Sequence, residues 1–392
     1  MMYDLIIIGG GPAGSAAGRI AGQSGLNTLL LDKEDFPRNK LCGGALSERA
    51  LSYLDFEIPP SMREKEIFGM RVRFSGRSVE GSKGYRIATI VTRRYFDNLL
   101  FEKAREAGVD IKTGEKVIDL REDSDHVEVV SSNGSYRSRF LLIAEGAQGR
   151  LKERVRKRDT KWEYGISLVA NIQADNREID ARLPALIEIH PGIIHMGYGW
   201  IFPHDGYYSV GIWGPAAYMV DHRSVMKNFL LDNGFSSKQK IKGHVMTMGG
   251  IRRDVTGSRI VFVGDAAGFM DPFSGEGIAF AIRSGQIAAE VISDILLREN
   301  NESRLKEYEK RCYREFGHTF QCALLSSRIM NRFPGIFFDI LTRNTDALDH
   351  FLEIPNLRRQ YLSYLGWIIP RIPKLFFSWD LHTTEPPARL TT

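Results

Sequence analysis

The residues able to do chemistry fall in five short stretches of this 392-residue chain. Gly9-x-Gly11-x-x-Gly14 follows the apolar run DLIII and opens a segment of small, helix-compatible residues. In that context the first glycine permits a tight turn, the second lets backbone approach a pyrophosphate, and the third lets helix and strand pack closely. The phosphates then meet free N–H groups at the positive end of a helix. Asp32 stands 18 positions after Gly14, at the end of the next apolar run. A carboxylate there accepts hydrogen bonds from a ribose. This pattern predicts a dinucleotide site and leaves FAD and NAD both open.

Four further stretches bear on what is done there. RIVFVGDAAGFMDP ends a strand at Gly264-Asp265, an acid well placed for a ribitol hydroxyl. Gly275-Glu276-Gly277-Ile278 opens an apolar helix. Negative charge beside such a helix N-terminus is stabilised by about 0.3–2 kcal/mol, which suits a redox ring that becomes anionic on reduction. KLCGGALSERA places Cys42 before Gly43 and Gly44, and two glycines let backbone come close to a ring system. In YGWIFP, Tyr198, Trp200 and Phe202 alternate and so share one face of a strand. That face is either packed core or the floor of a pocket for an apolar substrate.

The elements that must position these residues follow from periodicity. DLIII, a small-residue helix and NTLLLDK read as a β-α-β unit, and TRRYFDNLLFEKAREAG has helical spacing ending at Gly108. Between about 160 and 255 short alternating strands predominate, interrupted by a helix at HRSVMKNFLLDNG, which predicts a second, mostly antiparallel sheet. From about 301 to Pro370 the pattern is helical. The expected fold class is α/β, α+β overall. A Rossmann-like dinucleotide domain covers 1–155 and 256–300, with part of the substrate lobe inserted near 50–95. An antiparallel-sheet substrate domain covers 156–255, and a helical region 301–392.

Composition narrows the function classes. The net charge of +5 is too mild to indicate nucleic-acid binding, though it suits weak attraction to an anionic membrane face. Three cysteines without a CxxC pair argue against a disulfide scaffold and a zinc site, and for a reducing, cytoplasmic setting. The N-terminal apolar run lacks a basic flank, and no run reaches about 18 apolar residues, so neither a signal peptide nor a spanning helix is expected. YLGWIIPRIPKLFFSW at 364–379 and MNRFPGIFFDIL at 330–341 mix aromatics with basic residues. They read either as an interfacial patch on the inner face of a membrane or as a cap on the core.

Gly9-Gly11-Gly14, AEGAQGR at 144–150 and GDAAGFMDPFSGEG at 264–277 together resemble the three fingerprints of the flavoprotein superfamily that includes p-hydroxybenzoate hydroxylase. The middle one carries Glu145-Gly146 where Asp-Gly is usual. The Cys42-Gly43-Gly44 turn, the Tyr198-x-Trp200-x-Phe202-Pro203 strand and the Arg93-x-x-Phe96-Asp97 helix resemble the geranylgeranyl reductase family of that superfamily, over about residues 3–300. The resemblance implies FAD, held by Gly9, Gly11, Ala13, Gly14, Asp32, Lys33, Cys42, Gly43, Gly44, Ala45, Arg93, Val117, Glu145, Gly264, Asp265, Gly275, Gly277 and Ile278. It implies reduction of isolated C=C bonds in a polyprenyl lipid, with Cys42, Tyr198, Trp200 and Phe202 at the reacting end. Cys42 is the candidate proton donor or positioning group, with water as its rival. No second glycine-rich strand-turn-helix is present for a nicotinamide cofactor, so electrons are expected from transiently bound NAD(P)H or from ferredoxin or another carrier protein. The alternatives are a flavin monooxygenase or halogenase on an aromatic or polyketide substrate, and a flavin-bound lipid carrier without turnover.

Overall fold

The computed structural model describes residues 2–299, 301–355 and 358–373. Its first sheet has the order Asp110–Lys112, Thr28–Leu31, Met2–Ile8, Ser135–Ile143, Val127–Ser131, Val117–Glu122, with Ile260–Phe262 also paired to Ser135–Ile143. The strands around Met2–Ile8 run parallel, and those at the Val117–Ser131 edge run antiparallel. The central parallel strands are buried on both faces, which is why they read as continuous apolar runs. The helices Pro12–Gln23 and Ile278–Asp294 pack so closely that a Cβ on Gly285 would sit 2.1 Å from the Ala13 carbonyl oxygen.

The second sheet has seven strands in the order Lys242–Thr247, Tyr164–Gln173, Tyr207–Pro215, Tyr198–Pro203, Leu186–Pro191, Gly69–Phe74, Arg77–Ser82. All its pairings are antiparallel except that between Leu186–Pro191 and Gly69–Phe74. Gly69–Ser82 therefore leaves the first half of the chain to extend this sheet. A three-stranded sheet, Ala45–Ser47, Ala88–Ile90 and Lys65–Ile67, lies between the two.

The register assigns each face of the second sheet its own partners. One face carries Leu168, Ala170, Ile201, Val210 and Ile212 into a core with the helix His222–Asp232. The opposite face reads across five strands as His244, Ser167, Trp213, Tyr198 and Pro191, and in the next row as Val169, Gly211, Trp200, Ile189 and Val72. It is polar at one end, aromatic in the middle and aliphatic at the other.

The helices His318–Arg332, Pro334–Arg343, Thr345–Phe351 and Tyr361–Ile368 cover the aliphatic end. Tyr361, Tyr364, Leu365 and Ile368 turn inward, so the described part of the aromatic 364–379 stretch is a cap on the core. Its remainder, with everything from 374 onward, lies outside the described residues. Among the described residues no helix is long and apolar enough to cross a membrane.

Candidate functional site

The glycine turn is shaped by two backbone constraints and one open space. Gly9 has φ +104°, and a Cβ there would lie 2.5 Å from the Ala144 carbonyl oxygen; a Cβ on Gly14 would lie 1.8 Å from the Gly9 oxygen. Gly11 differs, because its added Cβ would approach only the tip of Arg38, at 3.4 Å. The helix it opens has no side-chain cap, with Pro12 in the first turn and Ala13 and Gly14 following. An open approach to uncapped amides fits a dinucleotide phosphate. Asp32 stands at the expected place. Its Oδ2 accepts the Gly10 N–H at 2.6 Å and its Oδ1 accepts the Glu34 N–H at 2.9 Å, so it also holds the turn in shape. Lys33 is exposed, and Val117 is buried at the start of its strand.

The second acid completes the fit. Asp265 follows Gly264 (φ +56°) in the turn after Ile260–Phe262. Among the described residues nothing hydrogen-bonds its carboxylate, which burial pushes above the usual range against the pull of Lys40 and Arg93. A desolvated carboxylate without a partner suits the hydroxyls of a bound ribityl chain. Gly275 (φ +72°), Gly277 and Ile278 form the turn and helix start beside it, and a Cβ on Gly277 would come within 3.4 Å of the Asp265 carboxylate. Glu276 points away from that turn and receives Ser47 Oγ and, at 3.0 Å, Arg49. Glu145 curls back on its own loop to accept the Leu151 N–H at 3.1 Å, and burial raises its carboxyl.

The Cys42 turn lies against the aromatic strand. A Cβ on Gly43 would meet the Phe202 ring at 2.9 Å and Trp200 Nε1 at 3.4 Å. One on Gly44 (φ +77°) would meet the Val91 oxygen at 2.4 Å. The two glycines thus admit the protein's own aromatic and backbone neighbours, a demand the sequence reading assigned to a bound ring alone. Cys42 Sγ accepts the Gly44 N–H at 3.4 Å and lies near the Arg93 charge. Arg93 is buried and bidentate to Asp97, at 2.7 and 3.0 Å. It is a fixed buried cation beside the thiol, not a solvated helix-start residue. Ala45 begins the small sheet directly after the turn.

Tyr198, Trp200 and Phe202 stand in a row with successive ring centroids 6.3 Å apart. Trp200 is buried over Gly211, and Tyr198 donates its hydroxyl to the Ser274 carbonyl. Beyond Tyr198 the same sheet face opens into an apolar cavity of about 60 Å³. Met70, Val72 and Ile189 line it from the sheet, and Met330, Phe338 and Leu341 from the helices. Its Asn331 side chain is committed elsewhere: it accepts the Met196 N–H and donates to the Ser327 carbonyl. The aromatic strand is therefore both core and wall, its middle buried and its Tyr198 end facing the cavity.

Several residues here had no motif to announce them. Lys40 Nζ reaches His244 Nε2 across 2.8 Å from the far edge of the second sheet. Burial first, then the Lys40 and Arg93 charges, push His244 down to about 3. Burial also lowers Lys40. Asp271, fully buried, accepts the Phe273 and Ser274 N–H groups and the Tyr361 hydroxyl. Met330, Phe338 and Leu341 fall in the 330–341 stretch that the sequence marks as a membrane patch or a cap, with no sign of a pocket wall, and Asp271 was visible only as one acid inside a longer motif.

Comparison with known proteins places these features in a family. A family profile described as FAD binding domain matches residues 2–319. A digeranylgeranylglycerophospholipid reductase of Thermoplasma volcanium is 30% identical over 346 residues, 79% of this chain and 82% of that protein. A menaquinone reductase of Mycobacterium tuberculosis is 28% identical over 320 residues, 74% of this chain and 76% of its own. Among solved structures, a geranylgeranyl bacteriochlorophyll reductase-like protein of Thermoplasma acidophilum superposes with a TM-score of 0.77 at 22% identity, covering 95% of this chain and 98% of the other. A flavin-dependent brominase gives 0.72, also at 22%, covering 95% and 100%. At that identity the two structures establish a shared fold.

Proposed function

The chain belongs to the geranylgeranyl reductase family of FAD-binding flavoproteins, and on that premise we propose that it reduces isolated C=C bonds in the polyprenyl chain of a lipid. The observation that carries this reading is the cavity at the Tyr198 end of the aromatic row. It is apolar, its Asn331 and Tyr198 side chains are already hydrogen-bonded, and it adjoins the turn that bears Gly275 and Gly277. Such a lining rewards a hydrocarbon chain and offers nothing to a polar or charged substrate.

The backbone of Gly9, Gly11 and Gly14 and the amides of Ala13, Gly277 and Ile278 would hold FAD, with Asp32 and Asp265 on its hydroxyls. The chemistry FAD supplies when reduced is hydride donation to one alkene carbon. Tyr198, Trp200 and Phe202 orient the chain. The cavity excludes water from a substrate with no carbonyl to share charge. A proton must reach the second carbon in step with the hydride, and Cys42, held by the Gly44 N–H and near Arg93, is placed to supply or position it. NAD(P)H or a ferredoxin-type carrier would reduce the enzyme. Docking on the inner face of the membrane would deliver the lipid.

Anaerobic photoreduction followed by mixing with a geranylgeranyl ether lipid tests the proposal. Reoxidation of the flavin with saturation of the lipid supports it. A flavin that stays reduced until oxygen is admitted, and then yields a hydroxylated or halogenated aromatic product, points instead to oxygenase or halogenase chemistry.

A further inference from the structure

We infer that His204 is a positioning residue for the Cys42 turn, acting through the Gly43 carbonyl and backed by Glu64. His204 follows the aromatic strand and is 2% exposed. Its Nε2 lies 3.0 Å from the Gly43 oxygen, and its Nδ1 lies 2.6 Å from Glu64 Oε2. The Gly43 oxygen can only accept, so the ring nitrogen that faces it is the donor. The ring is fixed in plane by stacking on Tyr207, centroids 4.3 Å apart at 14°. Tyr207 is tied in turn to Thr92 Oγ1 across 3.3 Å. Burial by itself would raise the Glu64 carboxyl, but hydrogen bonds from His204 and Thr92 hold it below the usual range.

The Val91 N–H fixes the Gly44 carbonyl at 2.9 Å, and the Gly43 carbonyl is held by His204. Gly43 lies against Phe202 on one side and bonds His204 through its carbonyl on the other. Gly44 is left-handed and has room for no Cβ, because one would fall 2.7 Å from His204 Cε1. Two adjacent glycines have the largest backbone freedom to lose, so an external clamp on the carbonyl between them sets where the preceding thiol points. The His204–Glu64 pair is that clamp. The inference rests on the proposed role of the Cys42 turn at the reacting site, and the test separates the two.

The measurement is iodoacetamide labelling of Cys42, followed by mass spectrometry on the full-length FAD-loaded protein. Buried Cys312 and Cys322 serve as internal controls. His204→Leu should raise the Cys42 rate by at least about tenfold, the scale expected from losing one hydrogen bond, while both controls stay protected. His204→Gln, which keeps a donor for Gly43, should stay within about threefold of wild type. Glu64→Gln keeps the packing and should fall between the two, so the inference remains testable if His204→Leu folds poorly. Wild-type Cys42 rates in both His204→Leu and Glu64→Gln would overturn it. In the prenyl-lipid assay His204→Leu should lower kcat and leave KM unchanged. A raised labelling rate with unchanged lipid turnover would keep the clamp and remove Cys42 from the reaction.

Discussion

The dinucleotide crevice and the apolar cavity meet along one aromatic strand, yet they are built by opposite means. The crevice is backbone: Gly9 and Gly14 are held against carbonyl oxygens at distances no side chain tolerates. Its titratable groups are Asp32, Lys40 and Asp265 from turns, Arg93 and Asp97 from a helix, and His244 from an edge strand. The cavity is side chain: aliphatic and aromatic residues from three strands and three helices line one volume, and any one of them could be exchanged for another of similar size. The first region is intolerant of change and rich in charge. The second is tolerant and almost without titratable groups. The contrast predicts which perturbations abolish the protein, which retune it, and which show that the regions are joined.

The largest effect falls on the crevice. Gly14→Val puts a branched side chain where a Cβ alone would lie 1.8 Å from a backbone oxygen, and neither backbone can yield. We expect a loss above about 3 kcal/mol and no retained FAD, measured by flavin content after gel filtration and by thermal melting. The cavity should respond differently. Met330→Trp fills space beneath the sheet without touching the glycine turn. FAD content should stay at the wild-type level while KM for a geranylgeranyl lipid rises about tenfold, at a stability cost of about 1–3 kcal/mol. Equal damage to flavin content from both variants would erase the distinction.

The same contrast decides what could be read in the sequence. Gly9, Gly14 and Asp32 announce themselves because backbone sterics admit one residue type at a fixed spacing, and contiguous residues carry the constraint. The aromatic strand was legible as one face, because strand alternation fixes which side chains share it. Its partner was not. Met330 and Leu341 lie more than a hundred positions from Tyr198, and their apolar spacing is that of any core helix. Lys40 and His244 were silent for a related reason. A lysine in a loop and a histidine in an edge strand acquire meaning only when two sheets bring them to 2.8 Å. The insertion of Gly69–Ser82 into the second sheet was expected as a region near 50–95, but its parallel pairing with Leu186–Pro191 is a topological fact no local pattern encodes.

Acid should sharpen the comparison from the crevice side. His244 is held down to about 3 by burial and by the Lys40 and Arg93 charges, so the folded protein keeps it neutral. As pH falls from the ordinary histidine value of about 6.5 toward 3, the unfolded chain takes up that proton first, and this part of the stability is lost. Above about 6.5 it is fully present. His244→Gln removes the group, so its melting temperature should decline less than the wild type's over that window and match its trend at pH 7–8. Among the groups lining the cavity only Tyr198 titrates, and burial pushes it further upward, so the loss in Met330→Trp should be the same across that window. Parallel acid profiles for wild type and His244→Gln would remove the histidine from the crevice's charge balance.

The smallest effect probes the seam. Tyr361 belongs to the helical cover of the cavity, yet its hydroxyl reaches Asp271 Oδ2 at 3.0 Å. The other oxygen of that carboxylate holds the Phe273 and Ser274 N–H groups, at 2.8 and 2.9 Å, at the start of the turn that leads into Gly275 and Gly277. Asp271 is buried, so each bond it loses is felt, while the aromatic ring of Tyr361→Phe still fills its place. The expected cost is about 1–2 kcal/mol, with a several-fold rise in the FAD dissociation constant measured by fluorescence titration. A purely local role for Tyr361 would instead change lipid KM and leave flavin binding alone. The predicted change is in flavin binding, because the one acid that receives the hydroxyl also sets the backbone on which the cofactor's redox end would rest.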